Sequence, residues 1–180
     1  MTRAYFWRLF GNLHITEEDK KLLDTNEDFR GERRKVRQLY VNDFEQQAPA
    51  TQGWNSERAH SGQHSLKVGQ QQQLTDKIIF TPPTITEEWL RVSARFFALQ
   101  KEWDKWRMCQ LTVEFRQGEA VVKRNMIRIF RVYDQGSWQE VFIDVSIPDR
   151  DFDNIAVYLD NAGGNKEVFM DDLQIEAFVE

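Results

Sequence analysis

Few residues in this chain carry obvious chemical capacity. Three histidines (His14, His60, His64) and one cysteine (Cys109) stand beside 29 acidic residues in a chain of 180. His60 and His64 lie four apart, but "AHSGQHSLKV" reads as a turn running into a strand, which lacks the one-face geometry of a helical zinc pair. Cys109 sits in the alternating run "RMCQLTVEF", where a small buried hydrophobe is expected rather than a reactive thiol. The run "DRDFDNIAVYLD" spaces Asp149, Asp151, Asp153 and Asp160 as a calcium loop would. Asn154 replaces the turn-making glycine, the second half reads as strand and flanking helices are missing, so a polar turn entering a strand is expected. No nucleophile elbow, phosphate loop or dinucleotide fingerprint occurs. What remains is the chemistry of binding, and the expectation is a module that is not an enzyme.

Composition narrows the class. With 41% hydrophobic residues, six Trp and thirteen Phe, the chain carries enough apolar mass for a core. At this length it needs no disulfide or metal staple, and its single Cys could form no internal disulfide. The net charge of −5 lacks the basic footprint of a nucleic-acid binder. No stretch approaches the roughly 18–20 apolar residues of a membrane span. The opening "MTRAYFWRLFGNLH" has no long apolar core or small-residue cleavage site, so no signal peptide is evident. Two settings fit this reading, the cytosol or an extracytoplasmic place as part of a larger exported or membrane protein.

The elements that would position any site fall into two regions. Residues 1–38 read as a helical or linker segment. Thr16 caps "TEEDKKLL", with Glu17 and Glu18 placed favourably in the first turn, and "ERRKVRQL" reads as a second helical piece after Gly31. Its basic cluster, Arg33, Arg34, Lys35 and Arg37, is expected to be a solvated helix face. Residues 39–180 read as strands and turns, with strands at 39–45, 64–69, 76–81, 88–98, 107–117, 121–133, 138–147, 154–160 and 167–178. Gly-, Pro-, Asn- and Asp-rich turns separate them. Short strands at this spacing, without alternating helices, predict an all-β antiparallel sandwich. Alternation puts Leu90, Val92, Ala94 and Phe96 on one face of their strand. It does the same for Cys109, Leu111, Val113 and Phe115, and for Ile155, Val157 and Leu159. Arg91, Arg95, Phe97, Gln110, Glu114, Arg128 and Tyr158 face away from that core.

Five landmarks occur in order across residues 41–178: "VNDFEQ"; "GWNSERAHSGQHSLKV"; "LRVSARFFAL"; "GSWQEVFIDVSIP"; and "IAVYLDNAGGNKEVFMDDLQIEAF". In this succession the chain resembles the jelly-roll, galactose-binding-like carbohydrate-binding modules attached to polysaccharide-degrading enzymes. The resemblance implies a jelly-roll β-sandwich whose first strand, Ser-Gly turn and last strand meet at one edge around a structural calcium ion. Carried over, Glu45 and Asp171 would give carboxylates, and Asp43, Ser61 and Gln63 main-chain carbonyls. By strand alternation Asp172 should point away from Asp171. The resemblance also implies a glycan, a polysaccharide or oligosaccharide, bound without catalysis through a sheet face or loop rim. Trp103, Trp106, Tyr158, Arg95, Phe97, Gln110 and Glu114 are the candidate contacts. Trp54 and Trp138 match landmarks that usually pack structurally, and Trp89 is expected to pack at a rim. The alternative is a structural or protein-interaction domain of a larger cell-envelope protein, meeting an upstream domain or partner.

Overall fold

Strict alternation of apolar and polar residues, punctuated by turn formers, folds into two antiparallel sheets. The computed structural model describes residue 29 and residues 31–46, 50–99, 107–129 and 136–180. Among the described residues the strands run in this order: β1 Arg34–Asn42, β2 Trp54–Asn55, β3 Ser65–Val68, β4 Ile78–Phe80, β5 Trp89–Ala98, β6 Gln110–Gln117, β7 Ala120–Arg128, β8 Gln139–Ser146, β9 Asn154–Asp160 and β10 Val168–Val179. One sheet has the order β2-β3-β10-β5-β8, with β1 also pairing β10; the other has four strands in the order β4-β9-β6-β7. Sequence neighbours mostly lie apart in the sheets, as jelly-roll connections require. The expected all-β sandwich is thus the observed one.

The core lies between the sheets. Leu90, Val92 and Phe96 of β5, Leu111, Val113 and Phe115 of β6, and Ile155, Val157 and Leu159 of β9 are all fully buried, so the face assignments read from alternation hold. A burial of this size supplies the dominant stabilising term, since each large apolar side chain contributes about 1.5–3 kcal/mol. Cys109 is enclosed in the same core. At one edge Lys123 of β7 reaches across to the other sheet, donating to Ser146 O at 3.0 Å and Ser146 Oγ at 2.6 Å.

The beginning of the module differs from expectation. "ERRKVRQL" is not helical: from Arg34 onward it forms β1, paired with β10 from Arg34↔Val179 to Asn42↔Leu173. Helix propensity is a local quantity, and the long-range ladder to β10 overrides it. The basic cluster lies on this strand and beside it. Arg33 pairs with Glu176 at 2.8 Å and Arg37 with Glu87 at 2.7 Å. The "TEEDKKLL" helix, His14, Trp103 and Trp106 lie outside the described residues. Among the described residues no helix is long and apolar enough to cross a membrane.

Candidate functional site

Two places gather the residues singled out by sequence. The first is a clasp between the chain after β1, the turn at 60–64, and β10. Phe44 drops into the core with φ at +60°, an unusual conformation for a bulky residue. Asn42 Oδ1 accepts from its N–H at 2.8 Å, and its carbonyl accepts from Trp54 Nε1 at 3.4 Å. That buried anchor sets the direction of Glu45. Glu45 Oε1 accepts from Gln63 N at 2.8 Å and His64 N at 2.7 Å, while Oε2 lies 3.2 Å from His64 Nδ1. The main-chain hydrogen bonds hold the Glu45 carboxyl below its usual range. His64 is sandwiched in turn against Trp54, centroids 4.2 Å apart. Gly62 closes the turn at φ +59°, where a Cβ would sit 2.4 Å from the Glu45 carboxylate.

Asp171, fully buried, secures the other side of the same turn. Its Oδ2 accepts from His60 N at 2.7 Å and Ser61 N at 3.1 Å, and its Oδ1 from Asp172 N at 2.7 Å. Burial nevertheless raises its pKa, and the neighbouring Asp172 adds to that. Glu45 and Asp171 therefore meet at one turn, as the resemblance implied. Asp172 does not point away. It takes a hydrogen bond from Ser61 Oγ at 2.5 Å and contacts His60 Nδ1. The reason is a bulge: the register against β5 slips between Asp171 and Gln174, with Asp172 at φ +49°. An extra residue breaks the two-residue alternation and turns both carboxylates to one side. Asp43 accepts from Glu45 N at 3.2 Å. Glu45 and Asp171 thus grip the turn from two chain segments by accepting its main-chain N–H groups, and among the described residues no group of three or more His, Cys, Asp or Glu side chains is placed to hold a metal ion. Ser61 and Gln63 direct N–H groups at those carboxylates.

The second place is the solvent side of the four-stranded sheet. Cross-strand pairing places Glu114 of β6 between Ala156 of β9 and Arg124 of β7, and Thr112 between Tyr158 and Met126. Gln110 lies between Asp160 and Arg128. Thr112, Glu114 and Ala156 are buried although they face away from the core, so neighbouring side chains cover this part of the outer face. Glu114 Oε1 accepts from Arg124 Nε at 2.9 Å and from Tyr158 OH at 3.0 Å, and Oε2 accepts from Lys77 Nζ and Arg116 Nη1, each at 2.8 Å. Burial alone would raise Glu114; the bonds from Lys77, Arg116 and Arg124 outweigh it and hold the carboxyl at about 2. Burial and the adjacent Glu114 charge push the Tyr158 hydroxyl up to about 12. Lys77 Nζ also lies 4.9 Å from the Tyr158 ring centre. Lys77 also borders a cavity of about 180 Å³, with Tyr40, Asp76 and Ile79. It is smaller than the roughly 300–1,000 Å³ of a small-molecule pocket.

The candidate glycan contacts are thereby divided. Gln110, Glu114 and Tyr158 share the outer face of the four-stranded sheet. Arg95 and Phe97 are on the solvent side of the other sheet, where Arg95 approaches Glu140 at 3.6 Å. Phe97 is only 3% exposed, beneath the Arg58 guanidinium at 4.3 Å and beside Trp138 at 5.5 Å. Trp89 packs on Phe29 and Phe178. The chain matches the xylan-binding CBM22-1 domain from Paenibacillus barcinonensis Xyn10C with a TM-score of 0.52 and 16% identity, over 80% of this chain and 96% of that one. It matches the CBM22-1–CBM22-2 tandem domain of the same protein with a TM-score of 0.53 and 16% identity, over 80% of this chain and 45% of that one. The chain shares the jelly-roll β-sandwich fold of these domains. No family model matches the sequence, and no curated protein does.

Sequence reasoning missed Lys77, Arg116 and Arg124 as partners of Glu114. Lys77 precedes β4, whose pairing with β9 joins segments far apart in sequence. Arg124 had a local signal, because β6 and β7 form a hairpin around Gly118 and Glu119. A regular register counted from that loop would set Lys123 opposite Glu114. A bulge between Phe115 and Arg116 moves the register by one and sets Arg124 there.

Proposed function

We propose that this chain is a non-catalytic carbohydrate-binding module whose ligand lies along the outer face of the four-stranded sheet. The observation that carries this reading is the buried cluster around Glu114 on a face turned to solvent. Burying charge is costly unless it is paired and hydrogen-bonded, and an ordinary solvated sheet has no need of it. A cluster of this kind rigidly orients Lys77, Arg124 and Tyr158, and rigid polar groups beside an aromatic ring are what a sugar surface requires. The fold shared with xylan-binding domains supports the same reading. Affinity electrophoresis through gels containing a panel of polysaccharides tests it. Retardation by at least one of them, reduced about tenfold or more in Tyr158→Ala with the far-ultraviolet spectrum unchanged, is expected. Migration unaffected by every polysaccharide would favour a structural or protein-interaction domain.

The clasp at Glu45 and Asp171 is proposed to bind calcium in a structural role. Glu45 and Asp171 would supply carboxylates, with Asp43, Ser61 and Gln63 contributing main-chain oxygens. The ion would neutralise clustered carboxylates and tie β10 to the turn. A ligand that binds only the folded chain raises its melting temperature, so calcium should raise it relative to chelator in the parent but not in Glu45→Ala. Superimposed melts of the parent with and without calcium would overturn the assignment.

A further inference from the structure

The cavity bordered by Tyr40, Asp76, Lys77 and Ile79 lies between residues of β1 and β3 in one sheet and of β4 in the other. Phe44 and Leu66 also line it, and both are core residues with almost no exposure. The recess is therefore blind, closed at its inner end by the packed core. At about 180 Å³ it has room for roughly six waters at about 30 Å³ each, which suits one sugar ring and not a chain passing through. Its polar groups have spare capacity. Asp76 is fixed by a two-way exchange with Gln52: its Oδ2 accepts from Gln52 N at 2.8 Å, and its N–H donates to Gln52 O at 3.0 Å. Among the described residues Asp76 Oδ1 accepts no hydrogen bond, and the Thr51 hydroxyl at the same border makes none. A fixed carboxylate oxygen and a hydroxyl above an apolar floor match the hydroxyls and apolar face of a neutral sugar.

The recess adjoins the outer face of the four-stranded sheet. Lys77 lines it and also donates to Glu114, and β4 is the edge strand beside β9, which carries Tyr158. A glycan laid across that face meets the recess at the β4 edge. Resting on the glycan-binding reading, we infer that the recess receives the terminal residue of a neutral glycan, so that the chain reads glycan ends. A residue within a glycan carries a linkage on both sides, and the core leaves no way out for one of them.

The test is isothermal titration calorimetry of the whole chain with linear xylan, mixed-linkage β-glucan and glucomannan. Each is used intact and after mild acid hydrolysis that shortens its chains about tenfold, which multiplies ends at constant mass. For a polysaccharide that binds, the protein bound per gram at saturation should rise about tenfold with the number of ends. Asp76→Asn can keep the bond from Gln52 N but replaces the spare oxygen by a donor, and should raise Kd about tenfold. Asp151→Asn, exposed before β9, should leave Kd unchanged. Circular dichroism melts confirm that the variants fold. Capacity per gram unchanged by shortening would overturn end recognition and leave the glycan-binding reading standing. So would weaker binding in Tyr158→Ala with none of it in Asp76→Asn. Binding to none of the three would count against both.

Discussion

The Glu114→Gln substitution probes the outer-face cluster most directly. It keeps size and one acceptor but removes the charge on which Lys77, Arg116 and Arg124 converge. Glu114 has no exposed surface, and its carboxyl is depressed from 4.5 to about 2. A depression of that size corresponds to a ceiling of about 3 kcal/mol, at 1.36 kcal/mol per unit. The stranded cations recover part of this by turning to water, Lys77 most easily and Arg116 least, at 40% and 11% exposure. The expected loss is therefore about 2–3 kcal/mol, or roughly 5–10 °C in melting temperature for a chain of this length. The pH dependence gives a second readout. A depressed carboxyl stabilises fully above its unfolded pKa, so the contribution is present above pH 4.5 and lost as pH falls towards 2. Urea unfolding at pH 7 and at steps down to pH 3 should show the parent losing stability faster than Glu114→Gln. Glu87, held at about 2 by Arg37, keeps some acid sensitivity in both. A loss below about 1 kcal/mol at pH 7, or parallel acid profiles, would refute the role given to the cluster.

Other expectations follow from the same geometry. Gly62→Ala places a Cβ against the Glu45 carboxylate in a left-handed conformation and should cost at least about 2 kcal/mol in chemical denaturation. Arg91 forms a two-point pair with Asp144, both bonds 2.7 Å, while lying over Phe142. Arg91→Lys keeps the charge but loses the fork and the stacking, and should lower stability by about 1 kcal/mol. Burial pushes the Cys109 thiol up, so a thiol reagent at pH 8 should label it only after denaturant is added.

Some of this protein was determined by local pattern. The two-residue alternation in β5, β6 and β9 fixed which side chains face the core, because a strand cannot present successive residues to one side. The same alternation placed Gln110, Glu114 and Tyr158 outward. That Glu45, the 60–64 turn and Asp171 meet was implied by the resemblance the ordered landmarks carry, not by any local spacing. Other features were decided only by long-range pairing. Residues 34–38 have helical character by themselves and became strand because β10 offered a ladder. Asp172 joined Asp171 at the turn, and Arg124 took the place opposite Glu114, because single-residue bulges shift everything beyond them by one position. A bulge is set by how two strands must bend to cover a common core, and neither strand's sequence contains that requirement alone. Lys77 reached Glu114 for a related reason: the sheet order brings β4 beside β9, and β9 beside β6, uniting side chains that no local spacing connects.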